Sequence, residues 1–140
     1  MIDLIGTIRQ IFRRANQIFD LSNAELVLTE TGGTLTADGT VQDVIIMDPP
    51  MGSFKATKLK VDMSNMTWGD TVELRWYERI SDGGTWILKD RMEFSGPQDV
   101  IPDSPEKNIE LEPNRFGIWI TLEQTAGTYR AFPWEWLYEV

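Results

Sequence analysis

Apolar positions recur at two different periods along this chain. Between Ile2 and Leu21 the period is helical. Leu4, Ile8, Ile11, Ala15 and Ile18 alternate steps of four and three, and Ile5, Phe12 and Phe19 repeat every seven residues beside them. That spacing predicts an amphipathic helix with a broad apolar stripe. Arg9, Arg13, Arg14, Asn16 and Gln17 fill the rest of its circumference. Ser22 and Asn23 compete for backbone hydrogen bonds and place its end near Asp20 to Asn23.

From residue 24 onward the pattern is that of strands and turns. Residues 24–31 predict a first strand, which Gly32-Gly33 interrupts, and Thr34 to Thr36 a short continuation closed by Asp38-Gly39. Thr40 to Met47 holds the unbroken apolar run Val44 to Met47, which suits burial on both faces or a helix-covered sheet. Asp48 to Gly52 ends it, because Pro49 and Pro50 cannot donate to a ladder. In Phe54 to Met63, Leu59, Val61 and Met63 alternate with Lys58, Lys60 and Asp62. Trp68-Gly69-Asp70 reads as a turn. Thr71 to Phe94 reads as a hairpin around Ser81 to Gly84: Val72, Leu74 and Trp76 face one way, Glu73, Arg75, Tyr77 and Arg79 the other. Its return strand breaks strict alternation, which predicts a bulge or a change of face.

Ser95 to Pro105 reads as an extended loop, with Val100-Ile101 tucked into the body. Asn108 to Leu111 is a short strand. In Phe116 to Gln124, Phe116, Ile118, Ile120 and Leu122 point inward while Trp119 and Thr121 point outward. The last strand, Tyr129 to Val140, aligns Phe132, Trp134, Trp136 and Tyr138 on one face, and Pro133 argues for a sheet edge or a bulge. The expectation is one antiparallel β-sandwich of about eight strands, jelly-roll or immunoglobulin-like, over residues 24–140, with an N-terminal helical arm over 1–23.

Charge sharpens the division between arm and body. The net charge of the 140 residues is −9. Residues 1–20 carry Arg9, Arg13 and Arg14 against Asp3 and Asp20, a net +1, so the other 120 carry −10. An acidic body argues against a nucleic-acid partner, whose phosphates require positive charge. No run is long enough to cross a bilayer as a helix, and the N-terminus does not read as a signal peptide.

The chain has no cysteine and no histidine. Thiolate chemistry, disulfides and a Ser-His-Asp arrangement are therefore excluded. Asp90 with Glu93, and Glu135 with Glu139, are acid pairs of the kind glycosidases use, but a solvated strand face explains them better. Calcium is the one metal that such a chain still suits. Its acidic loops, Asp38-Gly39, Asp82-Gly83 and Asp99 to Asp103, lack EF-hand spacing and read as turns. No cofactor and no enzymatic activity is expected. Among the tryptophans, Trp68, Trp119 and Trp134 are candidates for stacking on a sugar, set against packing in a core or an interface.

A helix with the face Leu4, Ile5, Ile8, Ile11, Phe12, Ala15, Ile18 and Phe19 needs a cover. Its own body, another chain or a lipid surface would serve, and the recurrence at seven favours a protein-facing seam over a lipid-facing one.

Several blocks resemble a known group of proteins. They are Gly33 to Gln42, Val61 to Met66, Gly69 to Arg75, Gly83 to Trp86, Phe94 to Gly96 and Ile120 to Thr128. In this order they resemble small β-rich structural proteins of tailed and icosahedral viruses of archaea and bacteria. The resemblance covers roughly residues 31–138 and is one of strands and turns. It implies a virion component of the minor capsid, decoration or turret type. Copies of itself and the major capsid protein would be its partners, so a homo-oligomer is expected. It carries over no functional residue. A carbohydrate- or receptor-binding module is the alternative.

Overall fold

The computed structural model describes residues 28–47, 55–112 and 114–139. The expected helix, its face from Leu4 to Phe19, and the break at Asp48 to Gly52 lie outside the described residues. Eight strands follow one another: β1 (Leu28–Thr36), β2 (Gln42–Met47), β3 (Lys55–Asp62), β4 (Thr71–Glu78), β5 (Ile87–Ser95), β6 (Glu106–Glu110), β7 (Ile118–Ala126) and β8 (Ala131–Glu139). They form two four-stranded sheets, ordered β1-β8-β3-β6 and β2-β7-β4-β5, and every pairing is antiparallel.

Of the two expected topologies, this order selects the jelly roll. Of all consecutive strands, β4 and β5 alone lie in the same sheet, and every other connection crosses between sheets. An immunoglobulin sandwich would keep its first two strands adjacent. One buried cluster joins the sheets. Leu59, Val61, Ile109, Phe132 and Trp136 come from one, and Val72, Leu74, Trp76, Ile118, Ile120 and Leu122 from the other. Alternation in β4, β7 and β8 puts the expected residues there, because side chains at i and i+2 share a face. Trp134 and Tyr138 pack against the same cluster.

Four expectations are corrected. First, Gly32-Gly33 does not break β1, which runs through both residues. A Cβ on Gly32 would stand 2.8 Å from the Trp134 carbonyl, and Gly33 lies against the Trp134 ring. The glycines let β1 approach β8 closely rather than end the strand.

Second, Pro133 lies neither at a sheet edge nor at a bulge. It sits on inner strand β8, opposite Thr34, one step beyond the last β8–β3 pair at Trp134. Third, Val100 and Ile101 do not tuck inward; Ile101 is 92% exposed. Gln98 takes the buried place instead, donating to the Ser95 and Gly96 carbonyls.

Fourth, the apolar run of β2 is not buried on both faces. A register shift between Asp43 and Ile45 sends both Val44 and Ile45 to the core. Ile46 is left on the outer face, 53% exposed. Thr121 points outward as expected, and it is buried. The irregularity expected in the hairpin's return strand is present: Trp76 pairs with Asp90 and Tyr77 with Leu88, so Lys89 bulges out.

Candidate functional site

The outer face of the β2-β7-β4-β5 sheet is striped. Register aligns Ile46, Trp119, Tyr77 and Leu88 in one row across all four strands. The next row is Asp43, Thr121, Arg75 and Arg91, and the one after it holds Glu123, Glu73 and Glu93. Rows on one face are two residues apart, about 7 Å along the strand. An apolar stripe therefore borders a basic one, which borders an acidic one.

The apolar stripe is built around an aromatic stack. Trp119 and Tyr77 stack with ring centroids 4.6 Å apart, and Trp86 leans on Trp119 at 5.8 Å. The Arg79 guanidinium lies 4.0 Å from the Trp86 ring, close enough for cation–π attraction. Gly117 makes room for Trp86, since a Cβ there would stand 2.9 Å from both that indole and the Met47 carbonyl. The Trp119 indole N–H donates to the Asp43 carboxylate at 2.7 Å. Both ends of the row face water: Ile46 is 53% and Leu88 48% exposed. Ile80, in the β4–β5 loop, is exposed as well.

Beside it, Glu73 is 5% exposed although it is on the outer face. Arg75 donates to it, and Arg91 lies 3.6 Å away. The Arg75 hydrogen bond, helped by both positive charges, outweighs burial and holds the Glu73 carboxyl below its usual range. The ionised form of this border is thus favoured.

Trp119 faces outward as expected, but it is packed within this stack. Trp68 is 85% exposed and lies over Gly96, in the loop before β4. The two are not brought together: Trp119 is level with Tyr77, six residues along β4 from Thr71, about 20 Å at the strand rise. Trp134, the third candidate, packs against the core.

The turn carrying Trp68 is held by a polar hub. Asp70 is 1% exposed. It accepts from the Thr67 N–H at 2.9 Å, the Thr128 N–H at 3.0 Å and the Arg130 guanidinium at 2.9 Å. Burial pushes this carboxyl up, but the three donors prevail and hold it below the ordinary carboxylate value. Gln124 ties in the same turn through the Ala126 and Thr128 carbonyls and the Arg130 N–H.

The acid pairs do not form dyads. Asp90 is opposite Trp76 on the core side, whereas Glu93 is opposite Glu73 on the outer side. Glu135 and Glu139 are four residues apart on β8, about 13 Å along the backbone. Among the described residues no group of three or more acidic side chains is placed to hold a metal.

The composite site was only partly visible in the sequence. Outward Trp119, Tyr77 and Arg79 were legible from alternation. Ile46, Leu88 and Trp86 were not, because register alone brings them alongside.

No family model and no curated protein matches this chain. Among solved structures it is similar to the disulfide-linked pili of Bacillus endospore appendages, with 12% identity, a TM-score of 0.49, and coverage of 81% of this chain and 88% of that one. PirA gives 11% identity and a TM-score of 0.45, over 77% of this chain and 92% of that one. VP2 of the infectious bursal disease virus subviral particle gives 6% identity and a TM-score of 0.45, over 81% of this chain but 32% of that one. The distant neighbours of this β-rich chain thus include a viral capsid protein and pili, and at these identities no chemistry passes from them to this chain.

Proposed function

We propose that this chain is a non-enzymatic structural protein whose β-sandwich docks onto other proteins of an assembly. The class implied by its sequence resemblance is a capsid-associated component of a virion, of the minor capsid, decoration or turret type. Its partners are further copies of itself and the major capsid protein, with the N-terminal segment as a second attachment.

The observation that carries this reading is the apolar row Ile46–Trp119–Tyr77–Leu88. It crosses a whole sheet on the solvent side and has exposed ends. An aromatic centre bordered by arginines, with a polar rim, is the composition of a protein interface. Covering Ile46 and Leu88 contributes about 1 kcal/mol each from lost apolar area, and repeated copies multiply the effect. Light scattering on Ile46→Asp and Leu88→Asp tests it. Both variants remain folded and lose self-association or particle binding. A full-length protein that stays monomeric and never joins purified particles ends the reading.

A second reading is a carbohydrate- or receptor-binding module, favoured by one observation: the 85% exposure of Trp68 on a turn held by Asp70. Glycan-array binding that disappears in Trp68→Ala supports it, and silence across the array removes it.

A further inference from the structure

The outer face of the other sheet holds a groove of about 500 Å³. It lies where the β3–β8 ladder ends. Val61 and Trp134 are the last pair; past them Asp62 pairs with Glu106 of β6, and Pro133 with Thr34 of β1. Proline has no N–H to continue a ladder, so the two strands are free to part there.

Three carboxylates, Asp62, Glu106 and Glu135, line the groove against one ammonium, Lys60, a net charge of −2. Lys60 lies opposite Glu135 in register but reaches Glu106, at 3.7 Å. Among the described residues no hydrogen bond or ion pair engages the Glu135 carboxylate. Pro133 and Trp134 add apolar lining.

This lining fits a cation on an aliphatic stem, and arginine best. Its planar fork matches a carboxylate with two parallel hydrogen bonds, and its methylenes lie along apolar lining. The first 20 residues carry a net charge of +1 in this acidic chain, with Arg13 and Arg14 adjacent. Thirteen residues lie between Arg14 and Leu28; with the expected helix to Leu21 and the rest extended they reach about 30 Å, enough to bridge to a neighbour.

We propose that this groove receives the Arg13-Arg14 pair of a second copy, so that copies join segment to groove. The contact is heterologous: donor and acceptor surfaces differ, and it propagates around a ring or along a filament. The proposal rests on the assembly reading above.

Charge reversal on the full chain tests it. Self-association is followed by sedimentation velocity at low and high salt, and folding by circular dichroism. Glu106→Arg/Glu135→Arg and Arg13→Glu/Arg14→Glu, each alone, are expected to weaken assembly at least tenfold, and wild-type assembly to weaken with salt. Mixed together, the two variants regain assembly, because each then meets a complementary partner. If both variants are folded and their mixture stays monomeric, contact between copies through this groove is overturned. Wild-type protein that assembles while Glu106→Arg/Glu135→Arg assembles equally well overturns the groove alone. Wild-type protein that never assembles removes the assembly reading itself. The charge-neutral variant Glu106→Gln/Glu135→Gln, which keeps the side-chain shape, gives an intermediate loss if the attraction is electrostatic, and none if the proposal is wrong.

Discussion

Trp119 on inner strand β7 donates its indole N–H to Asp43 on edge strand β2, across 2.7 Å. The bond fixes the ring that stacks on Tyr77, so the centre of the apolar row is set by a carboxylate from the row beside it. A side chain locked before docking loses less entropy when the partner arrives.

Asp43→Ala separates orientation from packing. It is expected to cost about 1 kcal/mol or less of folding stability, because the bond is exposed. Its effect on docking is larger, since the indole is released. Trp119→Ala removes the stack itself and weakens docking further. Denaturation curves beside sedimentation measure the two effects; equal docking by both variants and wild type would show that this face is not the interface.

Arg130→Met leaves the carboxylate of Asp70, 1% exposed, without its cation. Losing one partner of a buried ion pair costs about 3 kcal/mol, read as a lower urea midpoint at unchanged slope. Lys60→Ala breaks an exposed pair and is expected to cost under about 1 kcal/mol. The contrast tests whether burial, rather than the count of ion pairs, sets the loss.

The pH dependence has a definite sign. Asp70 and Glu73 are both held below their ordinary values in the fold. Between the folded and unfolded values the unfolded chain binds more protons, so stability rises with pH there. Their contribution is therefore complete above the unfolded values, about 4, and is lost as pH falls through the lower folded ones. With no histidine in the chain, no imidazole adds a limb near neutrality. Chemical denaturation from pH 3 to pH 8 is expected to give a flat neutral region and an acid decline, shallower in Asp70→Asn.

Gly127 and Gly69 share a left-handed backbone, with φ of 90° and 91°, but not surroundings. A Cβ on Gly127 would overlap the Asp70 carboxylate, whereas one on Gly69 meets nothing within 4 Å. Gly69→Ala is expected to cost about 1 kcal/mol, the backbone term alone. Gly127→Ala costs more, because it also dislodges the hub. Comparing the two thermal midpoints checks the difference.

Alternation made β7 and β8 legible: Ile118, Ile120 and Leu122, and Phe132 and Trp136, are buried as their spacing predicts. Asp38-Gly39 and Asp82-Gly83 mark turns in the structure too, with both glycines at positive φ. The departures share a cause. Gly32-Gly33 and Pro133 would interrupt an isolated strand, but their context here is the neighbouring strand. The run Val44 to Met47 misled because a one-residue bulge changes which side chains share a face.

What the sequence by itself determined is where strands run, where they turn, and which face of most of them is apolar, since all three follow from a two-residue period and local turn chemistry. The tertiary structure alone decided the order β1-β8-β3-β6 and β2-β7-β4-β5, and with it the site. Ile46, Tyr77, Leu88 and Trp119 are scattered over more than half the chain and meet because their backbones pair in one register. Lys60, Asp62, Glu106 and Glu135 surround one groove for the same reason. Interstrand hydrogen bonds are made by backbone groups that every residue carries, so side-chain patterns along one strand do not name its neighbour.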